Sequence, residues 1–480
     1  MTQEIGLLTV FLLVFLYDTF ATPRGARAVP VIATVLFGAF TIAGFCPCIV
    51  PAGDMEAFAG MYVTTPVITA IKNILNVGTL IIMIQAISWT STEQQAARRG
   101  EFYELMMLTL FGMYLMISGS HFLVFFIGLE TASLPLAAMV AFDKARGESH
   151  EAAGKYILTA CFSSAILLFG LSLVYGLAGS LYYAKIAPAL AFEGTGTMLI
   201  VALAFVIAGV GFKLSLVPFH LWTADVYQGA PTPVTSYLSV ISKGAAAMAF
   251  LIILTHVFAA FYTAAWEWMM YALIILTITV GNLFAIRQTN LKRFLAFSSI
   301  SQAGYIMLGI IAHNAMGVAA LMFYVLVYIF SNLAAFGVIA SVENHAGKVT
   351  MTSYNGLYKT NPRLAVTMML AMFSLAGIPP FAGFFSKFFI FTGAINQGSI
   401  AIYVLVLIAL INTIISLYYY LLVVNAMFIN DSDEPIATFR STCAERLGMW
   451  VTVGGILALG IVSFFYDTLL GIAGDGLSIF

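Results

Sequence analysis

Runs of about 20 apolar residues recur along the whole chain, each long enough to cross the ~30 Å hydrocarbon core of a bilayer as a helix. Fourteen such stretches lie near 5–20, 29–46, 67–88, 103–119, 121–142, 152–178, 198–226, 233–261, 266–286, 294–312, 315–342, 364–396, 399–428 and 447–472. Lipid offers backbone N–H and C=O groups no partner, so crossing segments of this length must be helices. Composition agrees: 61% of the 480 residues are apolar and only 9% charged, where a soluble domain has roughly a quarter charged. Such a chain cannot cover a water-facing surface. An all-α polytopic membrane protein is expected, with no extramembrane domain. A nucleic-acid binder, a secreted disulfide scaffold and a disordered chain are excluded.

The cations test the count independently. If the connections alternate between the two faces, Arg24, Arg27, Arg98, Arg99, Lys144, Arg146, Arg287, Lys292, Arg293, Lys348, Lys359, Arg363, Arg440 and Arg446 all fall on one face. Only Lys185 falls on the other, and Lys72, Lys155, Lys213, Lys243 and Lys387 lie within crossings. A missed helix would scramble this segregation. The positive-inside rule then places both termini on the non-cytoplasmic side. The first crossing has no basic residue before it and is expected to be a retained helix rather than a signal peptide. Cys46, Cys48, Cys161 and Cys443 are too few and too scattered for a disulfide framework or an iron–sulfur cluster. Cys46-Pro47-Cys48 reads as small apolar residues at a helix end.

A charge at the bilayer centre costs from about 2.5 to more than 10 kcal/mol. Lysines within crossings are therefore the most informative residues here. Lys72 lies near a helix end, where snorkelling suffices, and Lys155 is ambiguous for the same reason. Lys213, Lys243 and Lys387 are too deep to snorkel and are expected to be functional. Glu130 is the one acid well inside its helix. A lone buried carboxylate takes up a proton and a lone buried ammonium sheds one. At ~6 Å and an effective dielectric near 20, a Glu–Lys attraction of about 3 kcal/mol offsets both tendencies. Such a pair is a switch in which geometry sets protonation; a static ion pair that only orients helices is the bland alternative.

Two crossings carry prolines in their middles: Gly-Phe-Lys213-Leu-Ser-Leu-Val-Pro218-Phe-His220 and Gly377-Ile-Pro379-Pro380-Phe-Ala-Gly-Phe-Phe-Ser-Lys387. Proline removes a backbone hydrogen bond, so both helices should break. Freed carbonyls at membrane depth are tolerated only beside protein or a hydrated cavity. A lysine lies within two turns of each break, which favours a wet ion path. His220, two turns after Lys213, suits either proton relay or capping of the freed carbonyls. His256, Asp18, Asp225 and Asp467 read as structural or interfacial.

The broken helices are the seventh and twelfth, five crossings apart. Because five is odd, a repeated five-helix unit must be inverted, as in many transporters. The expected division is 1–100 for three N-terminal helices, 101–262 for the first unit, 263–430 for the second, and 431–480 for a loop and the last helix. The second unit has no acid in its tenth crossing to pair with Lys387.

Phe-Lys213-Leu-Ser-Leu-Val-Pro218-Phe-His220-Leu-Trp-Thr-Ala-Asp225-Val-Tyr-Gln-Gly-Ala-Pro231, Gly281-Asn-Leu-Phe-Ala-Ile-Arg287-Gln-Thr-Asn-Leu-Lys292-Arg293 and Ser374-Leu-Ala-Gly-Ile-Pro379-Pro380 resemble the subunit N family of bacterial NADH–quinone oxidoreductase (respiratory complex I). The resemblance covers about residues 100 to 430. Most of these motifs are shared with the wider superfamily of Mrp-type antiporters; Asp225-Val-Tyr-Gln-Gly-Ala-Pro231 is the segment most specific to subunit N.

The resemblance implies a proton-translocating subunit of a bacterial inner (plasma) membrane complex. Proton-path residues would be Glu130, Lys155, Lys213, His220, Lys243 and Lys387. Glu130 and Lys213 would form the coupled pair, Lys243 the central relay and Lys387 the exit-side carrier. It implies no cofactor on this chain, with FMN, iron–sulfur clusters and quinone on partner subunits, and other antiporter-like and small helical membrane subunits as partners. A subunit of an Mrp-type cation/proton antiporter without redox coupling is the alternative.

Overall fold

The computed structural model describes residues 1–22, 25–47, 49, 53, 55–193, 196–258, 264–462 and 464–476; Arg24 and Cys48 lie outside them. Thirteen helices among these residues are long and apolar enough to cross a membrane. One further crossing is made of two shorter apolar halves. In chain order the crossings are α1 (Thr2–Phe20), α2 (Val29–Gly44), α3 (Pro66–Thr90), α4 (Arg99–Ser118), α5 (Phe122–Val140), α6 (Gly147–Ala178), α7a (Thr197–Leu214) with α7b (Leu221–Gly229), and α8 (Thr232–His256). They continue as α9 (Ala264–Ile286), α10 (Leu291–Ile311), α11 (Ala315–Ala346), α12a (Pro362–Ala376) with α12b (Ala382–Ile395), α13 (Ile400–Phe428) and α14 (Cys443–Ile461), which Phe464–Gly476 follows. Each expected crossing has its helix. The chain is an all-α, multi-pass membrane protein.

Burial sorts these helices into layers. The α10 window is 100% buried and that of α8 94%, whereas α1, α6 and α13 are about one-third buried. The peripheral helices present Leu12, Phe162, Leu407 and Ile414 outward, as apolar solvent allows. The deep lysines therefore sit around a protein-lined centre rather than at a lipid face.

Both expected breaks are present, and both use one local device. After Leu214, Ser215 takes a left-handed conformation (φ 61°), and Leu216 N–H returns to Gly211 O at 2.8 Å. After Ala376, Gly377 does the same (φ 87°), and Ile378 N–H returns to Phe373 O at 3.0 Å. This is the Schellman ending of a helix. Proline follows three residues later in each case, at Pro218 and Pro380, and prevents the helix from resuming at once. Neighbours tie the ends: Thr277 Oγ1 accepts from Val217 N–H at 3.0 Å, and Ser374 Oγ accepts from Gly383 N–H at 3.2 Å.

Helix pairs also recur at a step of five. α4 lies against α5 with Gly112 at the crossing, where an added Cβ would stand 2.3 Å from Ala132 N. α9 lies against α10 with Gly281 in the same role, its added Cβ 2.6 Å from Ser301 N. Likewise α6 packs on both halves of the seventh helix, and α11 on both halves of the twelfth.

The α12 break is tight enough to test. A Cβ at Gly383 would fall 1.7 Å from Ser374 O, whereas one at Gly454 would meet nothing within 4 Å. Overpacking of this kind costs about 1–3 kcal/mol or more. Gly383→Ala should sharply reduce the amount of chain recovered in assembled complexes on native gels, and Gly454→Ala should leave it unchanged.

Candidate functional site

The deep lysines are each held differently. Lys213, in the last turn of α7a, is 6% exposed and donates to Tyr156 Oη of α6 at 3.2 Å, its ammonium 5.8 Å from the tyrosine ring centroid. Glu130 of α5 accepts from Ser164 Oγ at 2.5 Å and acts through space on Lys213. Among the described residues the two form no direct ion pair. The arrangement is thus a separated pair, with Tyr156 beside the lysine and Ser164 beside the acid.

Lys243 is 1% exposed and follows a π-helical stretch, Leu238–Ser242, in the middle of α8. Such bulges are frequent at functional positions. Its ammonium donates to Ser299 Oγ of α10 at 2.7 Å, and Tyr227 and Tyr328 gather around the same serine. His220, at the α7 break, turns toward the Pro218 backbone and stands in the field of Lys243. Its Nδ1 is buried without a hydrogen-bond partner.

Lys387, in α12b, is 5% exposed and donates to Leu375 O and Ala376 O, each at 3.1 Å. These are carbonyls freed at the C-terminal end of α12a, where the helix dipole is negative. Pro379 and Pro380 create this acceptor by keeping α12b from continuing α12a. The missing acid is replaced by backbone.

Neutral polar groups fill the space between Lys243 and Lys387. Tyr324 Oη donates to Gln302 Oε1, Gln302 Nε2 donates to Tyr420 Oη at 3.1 Å, and Ser331 bonds Ser374 at 2.7 Å. Gln302, Tyr324, Tyr328, Ser331, Ser374 and Lys387 line a void of about 10 Å³, close to the space one water needs. Sequence reading missed this row because neutral side chains in a crossing carry no signal of their own. The glycine contacts supply one afterwards: Gly112 faces 128–132 and Gly281 faces 297–301, so Ser299 occupies in the second pair the place of Glu130 in the first.

Lys155 stands apart from this row. It is 43% exposed and pairs with Glu151 at 2.8 Å and Asp225 at 2.7 Å. Asp225 also accepts from Arg293 at 2.6 Å. These residues, with Glu148 and Gln228, line an open cleft of about 190 Å³. Beside it, Glu343 binds Arg146 at 2.7 Å, Thr232 and, at 3.8 Å, the buried Lys292, which also donates to Ala230 O at 2.7 Å. The segment Asp225–Pro231 is therefore gripped from α10 at both of its ends.

Lys72 departs from expectation. It does not snorkel: it is 0% exposed and pairs with Glu4 at 2.5 Å. The acid lies 68 residues away in sequence, out of reach of any local pattern.

A family model described as NADH:quinone oxidoreductase/Mrp antiporter, TM, matches residues 119–416. NADH-quinone oxidoreductase subunit N of Phocaeicola vulgatus is 52% identical over 471 residues, 98% of this chain and 97% of that protein. The chain belongs to the subunit N family.

Subunit N of Moorella thermoacetica is 38% identical over 84% of this chain and 83% of its own. A chain of respiratory complex I from Thermus thermophilus superimposes with a TM-score of 0.79 at 31% identity, covering 98% of this chain and 99% of that one. A chain of the Mrp complex from Dietzia superimposes at 0.85 and 22% identity, over 99% and 97%; that likeness concerns the fold alone. Among the described residues no group of three or more His, Cys, Asp or Glu could hold a metal ion.

The two surface clusters differ in burial, and that difference is measurable. The Asp225 pairs line an open cleft where solvent screens them, so Asp225→Asn should leave complex content nearly unchanged. Glu343→Ala strands buried Lys292, a loss of about 3–5 kcal/mol, and should deplete assembled complex in membrane extracts.

Proposed function

We propose that this chain is a proton-translocating membrane subunit of an NADH–quinone oxidoreductase, driven by quinone reduction elsewhere in the complex. The observation that carries the reading is the row of buried lysines. Lys213, Lys243 and Lys387 each contact a group that can let go: a tyrosine beside a distant acid, a serine hydroxyl, and carbonyls of a broken helix. Membership in the subunit N family supports the assignment over an antiporter without redox coupling.

The row gives each group a task. The cleft around Lys155, Glu151 and Asp225 collects protons at the surface. Tyr156, the next residue after Lys155, stands against Lys213. When Glu130 approaches Lys213 the ammonium is favoured; when it withdraws, the proton is released toward His220 and Lys243. Lys243 passes it along Ser299, Tyr328 and Gln302 to Lys387, which discharges it. FMN, iron–sulfur clusters and quinone would reside on partner subunits; this chain supplies no redox group. Residues 101–262 and 263–430 act as two inverted units, with the termini on the non-cytoplasmic side of a bacterial inner membrane.

The assembled complex, reconstituted into vesicles, provides the test. Lys213→Ala and Glu130→Ala should each leave NADH oxidation by a soluble acceptor intact and depress protons moved per electron. Ser299→Ala should slow pumping while sparing the Glu130–Lys213 step. Full proton-to-electron ratios in the Lys213 and Glu130 variants, with normal assembly, would overturn the roles of both residues.

A further inference from the structure

Outside the lysine row, Glu4 and Lys72 form a further buried charged pair. Glu4 and Lys72 are 3% and 0% exposed, with Lys72 Nζ also donating to Ser118 Oγ at 2.6 Å and Tyr62 Oη at 3.3 Å. The rings of Tyr62 and Tyr114 lie 5.4 and 5.3 Å from the same ammonium. Three alternative holders around one cation exceed what anchoring α1 to α3 requires. Gln3 and Asn73 already join those helices at 2.7 Å, and Asn73 reaches Gly44 O of α2 at 2.9 Å.

The pair is also connected inward and outward. Lys72, Asn76 and Thr79 stand on one face of α3 at the i, i+4, i+7 spacing, and all three are 0% exposed. Tyr114 Oη donates to Asn76 Oδ1, while Asn76 Nδ2 and Thr79 Oγ1 are buried without a protein partner. Buried polar groups left without partners are costly unless water reaches them. A neighbouring face of α3 packs on α8 beside Lys243: Gly78 meets Ile241, and Leu75 meets Gly244. Outward, a short hairpin pairing Met55–Ala57 with Tyr62–Thr64 bridges to Gly119 and sets Tyr62 over Lys72.

We infer that Glu4 and Lys72 form a second switchable pair, placed between the Lys243 region and the face where α1 and α3 begin, and that it carries protons through the three N-terminal helices. When Glu4 leaves it for Tyr62 or Ser118, Lys72 gives up an N–H proton toward water at the face where α1 and α3 begin. Its free amine is then recharged by a proton arriving along Asn76 and Thr79. This step rests on the proposed function.

Arginine separates carriage from anchoring, because a guanidinium keeps the charge and the pairing but does not give up its proton. In the reconstituted complex Lys72→Arg should assemble normally, yet its proton-to-electron ratio should fall to the level of Lys213→Ala. Glu4→Gln, which preserves shape and hydrogen bonding, should lower the ratio similarly. Full pumping by either variant, while Lys213→Ala is impaired, overturns this inference and leaves the proposed function standing. Full pumping by Lys213→Ala removes the proposed function itself. Failure of both Lys72→Arg and Glu4→Gln to assemble assigns the pair to structure and overturns the inference as well.

Discussion

A buried ammonium in a lipid-embedded protein must have an acceptor, because no water outside the fold will supply one. Most of the irregular features of this chain answer to that constraint. The α12 break exposes Leu375 O and Ala376 O to Lys387. The π-helical stretch in α8 directly precedes Lys243, which Ser299 holds. Tyr156 takes Lys213 where the nearest acid is out of contact. Among the described residues none of these three lysines has a carboxylate in direct contact; on the proposed reading, that leaves their protons free to move.

Both broken helices solve the same geometrical problem with different residues. Glycine at 377 adopts the left-handed conformation freely, whereas Ser215 adopts it against the steric preference of an L-residue, at about 1–2 kcal/mol. The serine hydroxyl is buried and has no protein partner. This strained, unpartnered serine lies two residues beyond Lys213.

Much of this architecture was legible beforehand. Apolar run length and cation segregation gave the crossings, and mid-span prolines gave both breaks. The depth of Lys213, Lys243 and Lys387 marked them because their burial is costly enough to be exceptional. The rest depended on contacts between distant segments. Lys72 looked like a snorkelling residue because only the fold brings Glu4 to it. Lys292 read as one more cation on the positive face, yet it is 1% exposed and held by Ala230 O. The depth of Lys155 was ambiguous, and only the packing of α6 shows it turned outward to Asp225. Gln302, Tyr324 and Tyr328 were invisible because an uncharged polar residue in a crossing is common and cheap.

The replacement of Glu130 by Ser299 between the two helix pairs also suggests why the row has a direction. Lys213 answers to a charge, and moving a charge by a few ångströms changes its energy by kilocalories. Lys243 and Lys387 answer to a hydroxyl and to carbonyl dipoles, whose fields are weaker than that of a charge. On the proposed reading, an electrostatic signal therefore acts first at Glu130, and the later lysines respond to the charge that Lys213 gains or loses. Two acids in equivalent places would have made the units interchangeable; one acid and one serine make the first the trigger and the second the follower.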